Sequence, residues 1–389
     1  MKIIIITIDK INDIDYHYKR KRNLKINRNI LYKKKFGGET MLNKRKKLIA
    51  GMTTAIMTLG IFTGCASGKE GQNDKAEDKN IVNVYSARNY DVDKELFKKF
   101  EEQTGIKVNL VEGKSDELIE RMSREGDKSS ADMFLTVGAE SISLLKEKNL
   151  VKEISSDVIN TNIPEEYRGE DWVGLTSRAR VIAYDKDRVN PENIKTYSDL
   201  LKPEYKGKIL ARSSTSSYNI AMLSSFIQED GEEKAKEWAQ GIVNNLARIP
   251  EGNDRDQVKA IAAGIGDVAI INSYYIAKMV NSSDVEEVNA SKNIGLIFPE
   301  ETHINLSFGS ITKSAKNQEN AIKLLEFLTS EEAQSAYAEV NGEFPLNQKV
   351  ELPELLKSWG EFETQHIDFE KLGENKQKAT LIFDQIGWK

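Results

Sequence analysis

From Ile81 to Lys389 the chain alternates short apolar runs with stretches whose apolar residues recur every three or four positions, and that alternation constrains it to an α/β fold. IVNVYS (81–86) alternates as a strand does. DKELFKKFEEQ (93–103) sets Leu96, Phe97 and Phe100 at helical spacing, with Asp93 as the expected N-cap and Gly105 as the stop. IKVNLVEG (106–113) reads as a second strand, SDELIERMSR (115–124) as a helix and ADMFLTV (131–137) as a third strand. Such a β-α-β-α-β run predicts a mostly parallel sheet flanked by helices. A second α/β unit follows, with strands expected at 178–186, 207–214 and 267–273 and helices at 220–228, 232–245 and 256–264. A strand at 304–314 and a helix from Gln318 to Leu328 come after it. A chain of 389 residues exceeds what one core usually serves, so two domains are expected. Two α/β lobes imply a ligand cleft between them, outside the carboxyl ends of strands.

The only cysteine, Cys65, excludes an intrachain disulfide and a thiolate metal cluster. Its position is explained locally. Met41 opens a signal-peptide pattern: Lys44, Arg45, Lys46 and Lys47 are basic, and LIAGMTTAIMTLGIF (48–62) is uncharged and apolar. Phe62-Thr63-Gly64-Cys65 then resembles a bacterial lipobox, although Phe stands where Leu is usual. Residues 41–64 are therefore expected to be a lipoprotein signal peptide and Cys65 the lipidated N-terminus, since two acyl chains anchor stably. The alternative is an uncleaved membrane-spanning helix. The interrupting Gly and Thr residues and the placement of the cysteine favour the lipoprotein. Residues 65–80 read as the lipidated cysteine and a polar, disordered tether. Residues 1–40 show no cap, period or core, and FGGET (36–40) is encodable as a ribosome-binding site. They are expected to be upstream sequence, with the true start at Met41.

Charge and missing motifs narrow the function. The whole chain carries 56 basic and 61 acidic residues, but residues 1–64 hold 15 of the basic and only 4 of the acidic ones. The remaining body is acidic, which argues against a nucleic-acid partner and suits a cationic ligand. Gly113-Lys114-Ser115 resembles the end of a P-loop, but Val108 stands where its first glycine belongs. There is no G-x-S-x-G elbow. Beyond residue 64 only His303 and His366 remain, and both are expected to be surface or packing residues. A hydrolase would need a nucleophile–base pair, and none is found, so the chain is expected not to be an enzyme.

Tyrosines supply the positive signal. Tyr90 follows the first strand in SARNYD (86–91), Tyr218 lies in the polar stretch RSSTSSYN (212–219), and Tyr274-Tyr275 comes straight after a strand. Phenolate oxygen is a hard anionic donor suited to Fe³⁺, and a bound cation lowers the pKa of its ligands. Four phenolates exceed the charge of a trivalent ion by one, which invites a neutral or cationic neighbour. Aromatic residues in a cleft more often stack on organic ligands, and a Tyr-Tyr pair is usually packing. Tyr184, inside a strand pattern, reads as core.

Almost the entire body, 81–389, resembles the ferric-iron-binding proteins of ABC importers, within the periplasmic-binding-protein superfamily. The segments that carry the resemblance are NVYSARNYD, FEEQTGIKVNLVEG, TSRARVIAYDK, RSSTSSYN, EGNDRDQVKAIAAGIGDVAIINSYY and the closing GWK. It is nearest to the branch that binds iron through a tyrosine cluster. The resemblance implies a two-lobed type II fold with discontinuous lobes joined by hinge strands: 81–180 with 305–355, and 181–304 with 356–389. It implies Tyr90, Tyr218, Tyr274 and Tyr275 as ligands of Fe(III), the transported cargo. Many relatives carry His before the first tyrosine. Asn89 stands here instead, a weak neutral donor, leaving water or an anion to complete the site. Arg178 is either a cation offsetting the phenolates or part of a lobe-surface salt bridge. The implied partners are the permease and ATPase subunits of an importer. The implied location is the outer face of a bacterial, Gram-positive membrane, reached as a lipid-anchored monomer. The rival reading is the same fold binding an organic cation, a thiamine-like compound or an oxyanion; a non-transporting iron sensor or store is a third.

Overall fold

A computed structural model describes residues 80–389, so the expectations for the start at Met41, the signal peptide 41–64, lipidation at Cys65 and the tether up to residue 79 lie outside the described residues. The described chain opens with β1 (Ile81–Ser86), β2 (Lys107–Glu112) and β3 (Met133–Thr136), with β1 parallel to both neighbours. The helix between β1 and β2 spans Asp91–Thr104, two residues earlier than expected. Its N-cap position is Tyr90, not Asp93. The Asp93 carboxylate accepts instead from Arg88 Nε at 3.1 Å and from the Tyr337 hydroxyl at 2.9 Å, both buried, and so is not spent on helix amides. Gly105 ends the helix at φ 70°, a left-handed conformation that costs glycine least, and its N–H donates to the Glu101 carbonyl.

The two lobes share one long strand. β5 spans Val173–Asp185, starting five residues before the expected 178. Its first part pairs antiparallel with β9 (Ile304–Thr312) and its second part with β7 (Val268–Asn272) and β8 (Ile294–Ile297). The early residues escaped notice because VGLTS lacks alternation: every residue of it is buried, so neither face is marked by polarity. β6 is only Ile209–Leu210, parallel to β7, much shorter than the 207–214 expected. The sheet is mixed, not mostly parallel. Three strand pairs are parallel, whereas β5 and β9 run antiparallel to all their partners, including the two-residue strands β4 (Val151–Lys152) and β10 (Phe344–Pro345). Strands that carry the chain from one lobe to the other return against the direction of the β-α-β units they join.

Packing follows the pleat. The first lobe closes around Val84, Phe100, Phe134, Phe308 and Leu324, and Phe369 and Leu372 from near the C-terminus join that cluster. In the second lobe successive residues of β5 and β7 point to opposite faces. Ile182, Val268 and Ile270 pack with Trp238 and Phe383, while Val181, Ala269 and Ile271 pack with Val258 and Met279. The lobe junction lies where Arg180 N donates to the His303 carbonyl at 2.8 Å, beside a bridge between Thr302 and Thr364. His303 is fully buried there, its ring within hydrogen-bond reach of Ser225, Gln365 and Asn305, and burial pushes its pKa down to about 3. It is neutral at physiological pH and holds the junction together, while His366 is exposed. Among the described residues no helix is long and apolar enough to cross a membrane.

Candidate metal centre

Each of the four tyrosines expected as ligands stands at the start of a helix that follows a strand. After β1, Arg88 N donates to Ser86 Oγ at 3.0 Å, a short turn that leaves Tyr90 extended (φ −115°, ψ 140°) at the head of helix 91–104. Tyr218 is the second residue of the helix Ser217–Asp230, not part of a polar loop ahead of it. That helix is fixed to the hinge strand by Arg180 Nη2, which donates to Asn219 Oδ1 at 2.5 Å, while the Asn219 amide donates to the carbonyls of Arg212 and Ser213. Tyr274 and Tyr275 open the helix Tyr274–Val280 directly after β7. Gly342 lets the following segment approach this helix. It has φ 67°, and a Cβ there would lie 2.4 Å from the Ala277 Cβ.

Three of the rings meet, and Tyr218 is hydrogen-bonded to one of them. Tyr274 and Tyr275 have centroids 4.2 Å apart, and Tyr90, from the first lobe, lies 6.5 Å from Tyr274 in an edge-on arrangement. Tyr218 joins them through a side-chain hydrogen bond with Tyr274 and lies close enough to Tyr90 and Tyr275 for electrostatic interaction with both. Asn89 is exposed and takes no part in these ring contacts. Tyr184 lies elsewhere, packed over Gly295 in the second lobe, where a Cβ would come within 2.2 Å of the ring. A cavity of about 800 Å³ also lies elsewhere: Tyr197, Phe226, Trp238, Glu229 and Glu300 line it, and none of the four tyrosines does.

Cations surround the phenols. Arg178 places Cζ 5.4 Å from the Tyr90 centroid and 5.2 Å from that of Tyr274. Arg88 lies 5.2 Å from Tyr90, Arg212 lies 5.4 Å from Tyr218, and Lys278 Nζ is 4.8 Å from Tyr90 and 5.6 Å from Tyr274. Arg178 is fully buried, so its ion pair with Glu343 is an interior one and not the lobe-surface bridge considered from sequence. Arg88 shares Glu343, and Arg180 and Arg212 share the buried Asp254. Burial pushes the Tyr90 phenol up to about 12 against the pull of Arg178, and lifts Tyr218 and Tyr274 as well. Without a cation these phenols keep their protons. Phenol oxygens with guanidinium and ammonium charge at hand are a donor set suited to a hard trivalent ion, the cations offsetting any phenolates formed.

Sequence reasoning missed Arg88, Arg212, Lys278 and Glu343. Lys278 left a signal: it stands four residues after Tyr274, on the same helix face. Glu343 left none, being 255 residues from Arg88.

Residues 95–364 match the family of bacterial extracellular solute-binding proteins. The chain is 38% identical to iron uptake protein A1 of Synechocystis over 90% of this chain and 99% of that protein. It is 27% identical to the major ferric iron-binding protein of Neisseria meningitidis over 79% of this chain and 93% of that one. Among solved structures, a Trichodesmium protein in complex with iron and citrate ligands aligns with TM-score 0.76 and 42% identity, over 79% of this chain and 100% of that one. A ferric binding protein from Campylobacter jejuni aligns with TM-score 0.74 and 41% identity, over 79% and 100%. The two-lobed sheet architecture is thus the periplasmic-binding-protein fold, and the chain belongs to the bacterial extracellular solute-binding protein family.

Proposed function

We propose that this protein captures ferric iron outside the cell and hands it to an ABC importer, with Tyr90, Tyr218, Tyr274 and Tyr275 as ligands and iron as cargo. The observation that carries the reading is the convergence of the Tyr90, Tyr274 and Tyr275 rings with Tyr218 hydrogen-bonded to Tyr274, edged by Arg88, Arg178, Arg212 and Lys278. Iron is taken first by the three second-lobe tyrosines, and closure of the hinge then adds Tyr90 from the first lobe. Arg178 offsets the phenolate charge, and water or an anion fills the place where Asn89 stands instead of a histidine. In the same proposal the lobes are 81–180 with 305–355 and 181–304 with 356–389, joined through β5 and β9, with Phe369 and Leu372 of the closing segment reaching back into the first-lobe core. The mature chain begins at a lipidated Cys65 and works as a monomer beside permease and ATPase subunits.

Iron loading of the purified protein tests this. A tyrosinate-to-iron charge-transfer band is expected in the visible spectrum, and Tyr274→Phe or Tyr275→Phe should bleach it far more than Asn89→Ala. A colourless protein that retains no iron refutes the assignment.

A further inference from the structure

Iron capture as set out above makes no use of one buried carboxylate next to the site. Glu343 follows the π-turn Tyr337–Asn341 and is fully buried. It accepts from Arg88 Nη2 at 3.0 Å and Nη1 at 3.4 Å, from Thr176 Oγ1 at 3.0 Å, from Asn341 Nδ2 at 2.7 Å and from Arg178 Nη2. Burial alone would raise its pKa, yet Arg178 and Arg88 hold it down at about 2, so it is ionised. The two guanidiniums it clamps are those that lie against Tyr90 and Tyr274. Arg178 has no other carboxylate partner among the described residues, and its Nε and Nη1 have no hydrogen-bond partner there. Arg88 also pairs with Asp93 at 3.1 Å, so two buried cations face two buried carboxylates.

We propose that Glu343 is a positioning residue for the cargo: by clamping Arg88 and Arg178 behind Tyr90 and Tyr274, it cancels one positive charge beside the iron and thereby favours the ferric over the ferrous ion. The inference rests on the reading of those tyrosines as iron ligands. Its physical basis is simple. In a water-poor interior a nearby negative charge stabilises the more highly charged metal ion, and its loss stabilises the reduced one.

The test is a mediated redox titration of iron-loaded protein, followed by the charge-transfer band. In Glu343→Gln the ratio of ferrous to ferric protein at a fixed potential should rise about tenfold, a positive shift of about 59 mV for a one-electron couple. Glu343→Asp, which keeps the charge, should stay near wild type. The double change Arg88→Gln with Glu343→Gln restores the charge balance and should return the potential most of the way. A Glu343→Gln protein that loads iron, shows the band and titrates as wild type does overturns the inference while leaving the tyrosine site intact. A wild-type protein without the band overturns the site itself. If Glu343→Gln does not fold, Arg178→Gln supplies the opposite arm: removing a cation should move the ratio about tenfold towards ferric, and an unchanged potential again overturns the inference.

Discussion

A phenol in water loses its proton near pH 10, and burial in this cleft makes that harder: Tyr90 is pushed up to about 12 and Tyr274 well above its ordinary value. Unloaded, Tyr90 and Tyr274 are therefore neutral across the physiological range, and each must release a proton to serve the proposed iron site. The sign follows. Because the proton-bound form is the one without metal, affinity falls as pH falls, by roughly tenfold per pH unit for each phenol ionised. Loading the protein from a ferric chelate of known protonation state in weakly buffered solution should release several protons, up to one for each tyrosine ligand after correction for those the freed chelator takes up. Proton counts near zero at neutral pH would show that phenolates are not the donors. A second prediction at this scale concerns Asp254, which is fully buried and accepts from Arg180 at 3.3 Å, from Arg212 at 3.5 Å and from the Asn272 backbone N–H at 3.0 Å. Asp254→Ala strands the buried Arg180 charge and should cost about 3–5 kcal/mol in denaturant unfolding.

At the scale of elements, the site depends on short helices set at strand ends. Tyr274 and Tyr275 begin a helix of only 7 residues, too short to be stable alone, so its neighbours must hold it. The segment around Gly342 is one of them, with its backbone pressed against Ala277 and Tyr274. Gly342→Ala adds a Cβ to a left-handed residue where no space exists, and should lower stability by roughly 2–4 kcal/mol from strain and overpacking together. Displacement of the helix should also weaken the charge-transfer band, although residue 342 is no ligand. A variant with normal unfolding and a normal band would show that this contact does not seat the helix. Helix 91–104 depends on the opposite kind of tie: Asp93, expected from sequence to cap it, lies in an ion pair with Arg88 that holds the turn bearing Tyr90.

For the whole molecule the relevant quantity is the coupling of two lobes through one site. Tyr90 comes from the lobe built on β1, while Tyr274 follows β7 in the other, and their rings are 6.5 Å apart. A ligand shared across the cleft stabilises the closed form, and iron held at a thousandfold excess over its dissociation constant adds about 4.1 kcal/mol to folding stability. Iron loading should therefore shrink the radius of gyration measured by small-angle scattering in wild type but not in Tyr90→Phe, which keeps the second-lobe tyrosines. Equal shrinkage in both would remove Tyr90 from the closing step.

Local pattern alone determined the α/β alternation, the helix Gln318–Leu328 and the stop at Gly105, because each rests on neighbours in sequence: periodicity for the helix, a left-handed residue for the stop. It also marked out four tyrosines near strand ends, since a strand end in an α/β lobe is where a cleft opens. The tertiary structure alone decided that β5 begins at Val173 and serves both lobes, because a strand buried on both faces shows no alternation. It alone decided that the sheet is mixed, because strand direction depends on how distant segments return. Tertiary packing also brought Glu343 beneath Arg88 and Arg178. A buried charge is tolerable only beside its counter-charge, and partners 255 and 165 residues away leave no trace in local sequence.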